Sequence, residues 1–140
     1  MKIIVIDGQG GRIGSLLIEK IKDKLKTSAI SAEVIAIGTN SIATASMLRA
    51  GADAGATGEN PVIVNCCNAD YILGPVGIIA ANSLLGEITP AMAAAVTASP
   101  AKKLLLPVNR CSLHIAGVKE QDITVLADEA VSCIGDNNTL

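Results

Sequence analysis

The chain has almost no aromatic side chains. Phe and Trp are absent, and Tyr71 is the single ring in 140 residues. A nucleic-acid interface needs stacking platforms together with clustered Lys and Arg, and a formal net charge of −2 fits no polyanion partner. His occurs once, at position 114, and the four cysteines at 66, 67, 111 and 133 form no CxxC pair and no metal-ligand spacing with it. Long apolar runs are missing too. "MKIIVIDG" is too short for a secretory leader and is interrupted by Asp7, and no stretch approaches membrane-span length. These absences predict a cytoplasmic protein with reduced thiols and with neither a nucleic acid nor a membrane as partner. Adjacent Cys66 and Cys67 point to different sides in regular structure, and both read as buried, inert thiols.

Half of the residues are apolar, so the core must be built from Ala, Ile, Leu and Val. Short β-branched runs alternate with helix-periodic segments, the pattern of a parallel sheet covered on both faces. The expected strands are Lys2 to Ile6, Glu33 to Ile37, Asp53 to Thr57, Asp70 to Gly74, Lys103 to Pro107 and Ser112 to Ala116. Gly14 to Lys26 carries Leu17, Ile18, Ile21 and Leu25 on one helical stripe. The cluster Lys20, Lys22, Lys24 and Lys26 closes that helix and complements its dipole. Asn40 to Ala50, Thr89 to Ser99 and a segment capped by Asp122 and ended by Gly135 are the other helices. "ENPVIVNCC" fits either a short helix from Pro61 or an edge strand.

The short link between the fifth and sixth runs permits only an antiparallel hairpin, whereas the earlier connections suit right-handed crossovers. The prediction is an α/β, Rossmann-like three-layer sandwich, mainly parallel, in sheet order 3-2-1-4-5 with strand 6 antiparallel at the edge. Residues 1–135 form one domain, and 136–140 a frayed tail. In that order the chain reverses between strands 1 and 4, where open α/β sheets bind ligands beyond the strands' carboxyl ends.

Two glycine loops fall there. The first, "DGQGGRIG", places Asp7, Gly8, Gln9, Gly10, Gly11, Arg12, Ile13 and Gly14 between a strand and a helix, where backbone N–H groups and the helix dipole favour an anion. The second is "GPVG", with Gly74, Pro75 and Gly77. The spacing GxxGxxG differs from the dinucleotide fingerprint GxGxxG, which requires glycine where Ile13 stands. The end of strand 2 offers Thr39, Asn40 and Ser41 instead of the acid that holds an adenosine ribose; these residues either cap the next helix or also bond a phosphate or sugar. Asp7 is placed either to cap the loop or to orient a metal or hydroxyl. Asn82 and Asn109 are candidates for the same crevice. His114 reads as a structural or exposed side chain.

"GQGGRIG" resembles the variant loop of dihydrodipicolinate-reductase-like and short-chain-dehydrogenase-like nucleotide sites. "IDGQGGRIG", "AIGTNSIATASMLRAGADAGATGEN", "GPVGIIAANSLLGEITP" and "AKKLLLPVN" together resemble a family of short bacterial proteins known only as a domain of unknown function. That likeness implies a small stand-alone cytosolic protein and brings no established activity. Residues 73 to 109 are also similar to a segment of the 2-phospho-lactate transferase and gluconeogenesis-factor group, whose Gly-Pro-Gly-Ser loop precedes a nucleotide-binding crevice. Here Val76 and Gly77 replace that loop's last two residues, and the group's acidic metal-binding cluster has no counterpart.

The leading expectation is binding of a nucleotide, possibly NAD(P), or of a phosphorylated metabolite between the two glycine loops, without an assigned catalytic residue or resident metal. One alternative is a phosphoryl or nucleotidyl transferase, with Arg12 on a phosphate and Asp7 on Mg²⁺, or an NAD(P)-dependent reductase completed by a partner. Another is a structural subunit without ligand. "VGIIAANSLLGEI", with Ile78, Ile79, Leu84, Leu85 and Ile88, either covers the sheet or forms the interface of an expected homodimer.

Overall fold

A computed structural model describes residues 1–108 and 112–136. Its element order is β1 (Lys2–Asp7), α1 (Arg12–Thr27), β2 (Glu33–Gly38), α2 (Ser41–Arg49), β3 (Ala54–Thr57), α3 (Glu59–Cys66), β4 (Tyr71–Pro75), a 3-10 turn (Val76–Ile79), α4 (Pro90–Ala98), β5 (Lys102–Leu106) and α5 (Ile123–Ser132). The strands form one sheet in the order β3-β2-β1-β4-β5, and every pairing is parallel. This is the α/β, Rossmann-like arrangement expected from the alternation of strand and helix signals.

Side chains of a strand alternate between faces, and β1 feeds both cores. Ile3 and Val5 pack with Leu17, Ile18 and Ile21 of α1, Met47 of α2 and Leu126 and Val131 of α5. Ile4 and Ile6 pack on the opposite face with Val62 of α3, Met92 and Val96 of α4, and Ile78 and Ile88. A β1 buried on both sides explains why "IIVI" reads as a continuous apolar run. "ENPVIVNCC" resolves as helix, because α4 offers α3 a helical neighbour on that face and Val62 and Cys66 turn into the shared core.

Two expectations need correction. The antiparallel sixth strand is not seen: Ser112 has φ +54, and an Ala116–Gly117 turn, with Gly117 at φ +84, closes the other end. Too few extended residues remain between those turns to build a ladder. Of the hairpin link, residues 108–111, all but Val108 lie outside the described residues, Asn109 and Cys111 among them. Cys67 is exposed at the end of α3, while Cys66 is buried. In "VGIIAANSLLGEI", Ile78, Leu84 and Ile88 cover the core, while Ile79 and Leu85, 37% and 97% exposed, are the large apolar side chains left outside.

The lysine cluster ties elements together. Lys20 pairs with Asp128, Lys22 with Asp53, and Lys24 Nζ donates to the carbonyls of Val131 and Ser132 at the end of α5. Tyr71, the sole aromatic, accepts the Gly135 N–H on its hydroxyl at 3.0 Å. Among the described residues, no helix is long and apolar enough to cross a membrane.

Candidate functional site

The carboxyl end of β1 delivers Asp7, and the chain then turns through Gly8 to Gly11 into α1. Gly11 is the N-cap of α1 at φ +71, a conformation that costs glycine least, and having no side chain it cannot cap the helix itself. Asp7 does so from the strand. Its Oδ1 accepts the Gly8 N–H at 2.8 Å and its Oδ2 accepts the Gly14 N–H at 2.7 Å. Burial pushes the Asp7 carboxyl above its ordinary value, the amide bonds oppose that rise, and nearby Glu87 adds to it. Both oxygens are therefore committed to loop amides, which answers the capping question and leaves little for a metal. Among the described residues, no group of His, Cys, Asp or Glu suits a metal ion.

Each loop glycine has its own reason. A Cβ on Gly11 would lie 2.8 Å from Ala43 Cα and Ala43 O, so α1 and α2 approach closely there. A Cβ on Gly14 would run into Met47 and Asp7, and one on Gly8 into Glu87, Thr39 and Leu84. Gly10 differs: its Cβ would meet nothing nearer than Arg12 Cγ at 3.9 Å. The N–H groups of Gly10 and Arg12 have no partner among the described residues, and the exposed Arg12 side chain makes no ion pair with them. A cavity of about 40 Å³ opens here, bounded by residues 7–13 with Pro75, Leu84 and Val108. That is room for a few waters or one phosphate-sized anion, judged at roughly 10–15 Å³ per water.

The other expected residues divide. Thr39 and Asn40 reach the loop: Asn40 caps α2 by accepting the Ala43 N–H, and its Nδ2 donates to Gln9 O at 2.9 Å. Ser41 is an exposed first-turn residue of α2. From the second glycine loop only Pro75 lines the cavity. Gly74 is needed because a Cβ would strike Ile6 O of β1, and the Gly77 carbonyl accepts the Ser83 hydroxyl inside the 3-10 turn. Asn82 is exposed, and His114 lies exposed in the irregular segment.

Sequence reasoning missed Glu87. Its Oε2 accepts the Gln9 N–H at 2.6 Å and the Thr39 hydroxyl at 2.8 Å, and its Oε1 accepts Asn40 Nδ2 at 3.1 Å. The available signal was that Glu87 is the single charged side chain between Asp70 and Lys102. Two larger hollows, of about 250 and 580 Å³, lie against β5, α5 and segment 113–121, and the first shares Val108 with the glycine-loop cavity. Size favours them, but the small cavity lies at the Gly10 and Arg12 N–H groups that have no partner among the described residues, so the chemistry favours it.

A family model describing a domain of unknown function, DUF3842, matches residues 2–138. The chain belongs to this family. A comparison with curated proteins finds no match. Among solved structures, a dodecameric FMN-dependent UbiX-like decarboxylase from Escherichia coli O157:H7 is similar at 18% identity and a TM-score of 0.47, with 96% of this chain and 77% of that one covered.

Proposed function

We propose that this protein binds a phosphorylated small molecule, a nucleotide or a phosphorylated metabolite, at the Gly8–Gly14 loop. The observation that carries the reading is the coincidence of free Gly10 and Arg12 N–H groups, an unpaired Arg12 guanidinium and a cavity at the start of the 16-residue helix α1. Amides aimed along a helix dipole suit an anion, and a guanidinium adds a bidentate donor. Thr39 and Asn40 stand at the neighbouring strand end, where a sugar attached to that phosphate would lie. Binding without turnover is the preferred form. Asp7 is occupied with the loop amides, and His114, the one histidine, does not line the glycine-loop cavity.

Calorimetric titration of the folded protein with inorganic pyrophosphate, ADP and NAD tests the reading. Saturable heat with at least one of them, independent of Mg²⁺, is the expected result. Silence from all three in the wild type and in the Glu87 variants described below removes it.

A further inference from the structure

We propose that the Glu87 carboxylate is a built-in competitor of the phosphate ligand, an internal anion that latches the strap 80–88 over the glycine loop and must leave when ligand enters. The inference rests on the phosphate-binding reading and adds a gate to the same site. Glu87 already occupies donors that an anion would use: the Gln9 N–H, the Thr39 hydroxyl and the Asn40 amide. Gly8 leaves room for it, since a Cβ there would collide with the carboxylate. Glu87 does not line the cavity at Gly10 and Arg12, but an anion that extends from there to the Gln9 N–H would have to displace its carboxylate, since both need the same donor. The cavity of about 40 Å³ admits a phosphate group, and it shares Val108 with a hollow of about 250 Å³. For a ligand to use the Gln9, Thr39 and Asn40 donors, Glu87 has to move.

The strap is built for that. Asn82, Leu84 and Leu85 have φ of +65, +54 and +57, and Gly86 follows at +87, a left-handed run that bulky residues rarely adopt. Its base is fixed by buried Leu84 and Ile88, by the Ser83 hydroxyl on Gly77 O and by the Asn82 N–H on Ile88 O at 2.7 Å. Its tip is different. Leu85 is 97% exposed, a Gly86 Cβ would meet nothing, and the turn bonds of Gly86 and Glu87 are 3.2 Å long. The Glu87 carboxylate is thus the main attachment of the tip to the body. An internal carboxylate acts at high effective concentration, so singly charged anions such as acetate are rejected, and displacement favours ligands with the charge of a diphosphate.

The test compares wild type, Glu87→Gln and Glu87→Ala in titrations with inorganic pyrophosphate and with acetate, alongside amide hydrogen exchange of the ligand-free proteins. The expected result is pyrophosphate affinity raised about tenfold or more in Glu87→Ala, with Glu87→Gln between, matching loss of a charge-assisted competitor. Exchange at Gln9 and in 85–87 should accelerate by a similar factor while β1 and α4 keep their protection, which shows that the fold is intact. Pyrophosphate binding that is equal or weaker in Glu87→Ala overturns the gate and leaves the phosphate reading standing. Unchanged exchange at Gln9 and 85–87 removes the latch. Absence of binding in all three proteins removes the phosphate reading and the competitor with it.

Discussion

The Asp7 carboxylate bridges the glycine loop to the backbone N–H of Gly14 at 2.7 Å, so the end of β1 caps a helix whose own N-cap, Gly11, has no side chain to offer. Helix α1 and the candidate site therefore share one structural dependence. Replacing Asp7 by Asn leaves one accepting oxygen and turns an NH₂ toward a loop amide. Stability at neutral pH should fall by about 1–3 kcal/mol. Because burial raises the Asp7 pKa in the fold, the folded state holds the proton more tightly than the unfolded chain, and this contribution to stability declines as pH rises from the ordinary value of 3.8 to the raised one. Urea denaturation across that range should show the advantage of wild type over Asp7→Asn shrinking with pH. An advantage that grows with pH would reverse the assignment.

Gly10 and Gly11 are neighbours with opposite expected behaviour. Gly11→Ala forces a Cβ onto φ +71 and against Ala43, and should cost about 3 kcal/mol or more. Gly10→Ala meets open space and should stay within about 0.5 kcal/mol of wild type. Its methyl would instead intrude on the cavity and reduce pyrophosphate affinity at least about tenfold. Thermal melts and titrations of the two variants separate packing from binding.

Arg12 should matter to ligand and not to fold. It is exposed and makes no ion pair among the described residues, so Arg12→Ala should shift stability by no more than about 0.5 kcal/mol. Losing a charge-assisted donor should weaken pyrophosphate binding about tenfold or more. Lys at this position should restore only part of the affinity, as a point charge lacks the planar fork. Full affinity in Arg12→Ala would remove the guanidinium from the site.

Cys66 and Cys67 should react very differently. Burial pushes the Cys66 thiol up to about 11, leaving on the order of a thousandth as thiolate at pH 8, and its side chain is out of reach of reagent. Iodoacetamide labelling followed by peptide mapping should find Cys67 modified in the native protein and Cys66 only after denaturation. Native labelling of Cys66 at the rate of Cys67 would contradict the packing of α3.

The sheet order was legible in the sequence because the central strands β1, β2 and β4 are largely buried and stand out as short apolar runs, and because crossover length dictates strand placement. The caps were legible as well: Asn40, Thr89 and Asp122 each accept a helix amide through a neighbouring side-chain oxygen, a short-range bond that local sequence can announce. What local sequence could not decide was where Ser112 to Ala116 would go, since its chemistry suits a strand and turns at both ends cut it short. Nor could it distinguish glycines that make room for ligand from those that make room for protein. Gly11, Gly14 and Gly74 are required by contacts with Ala43, Met47 and Ile6, partners distant in the chain. The meeting of Glu87 with Gln9 spans 78 positions. Its basis is tertiary: β1 and β4 lie side by side, the loops after them share one end of the sheet, and a carboxylate finds unpaired amide and hydroxyl donors there.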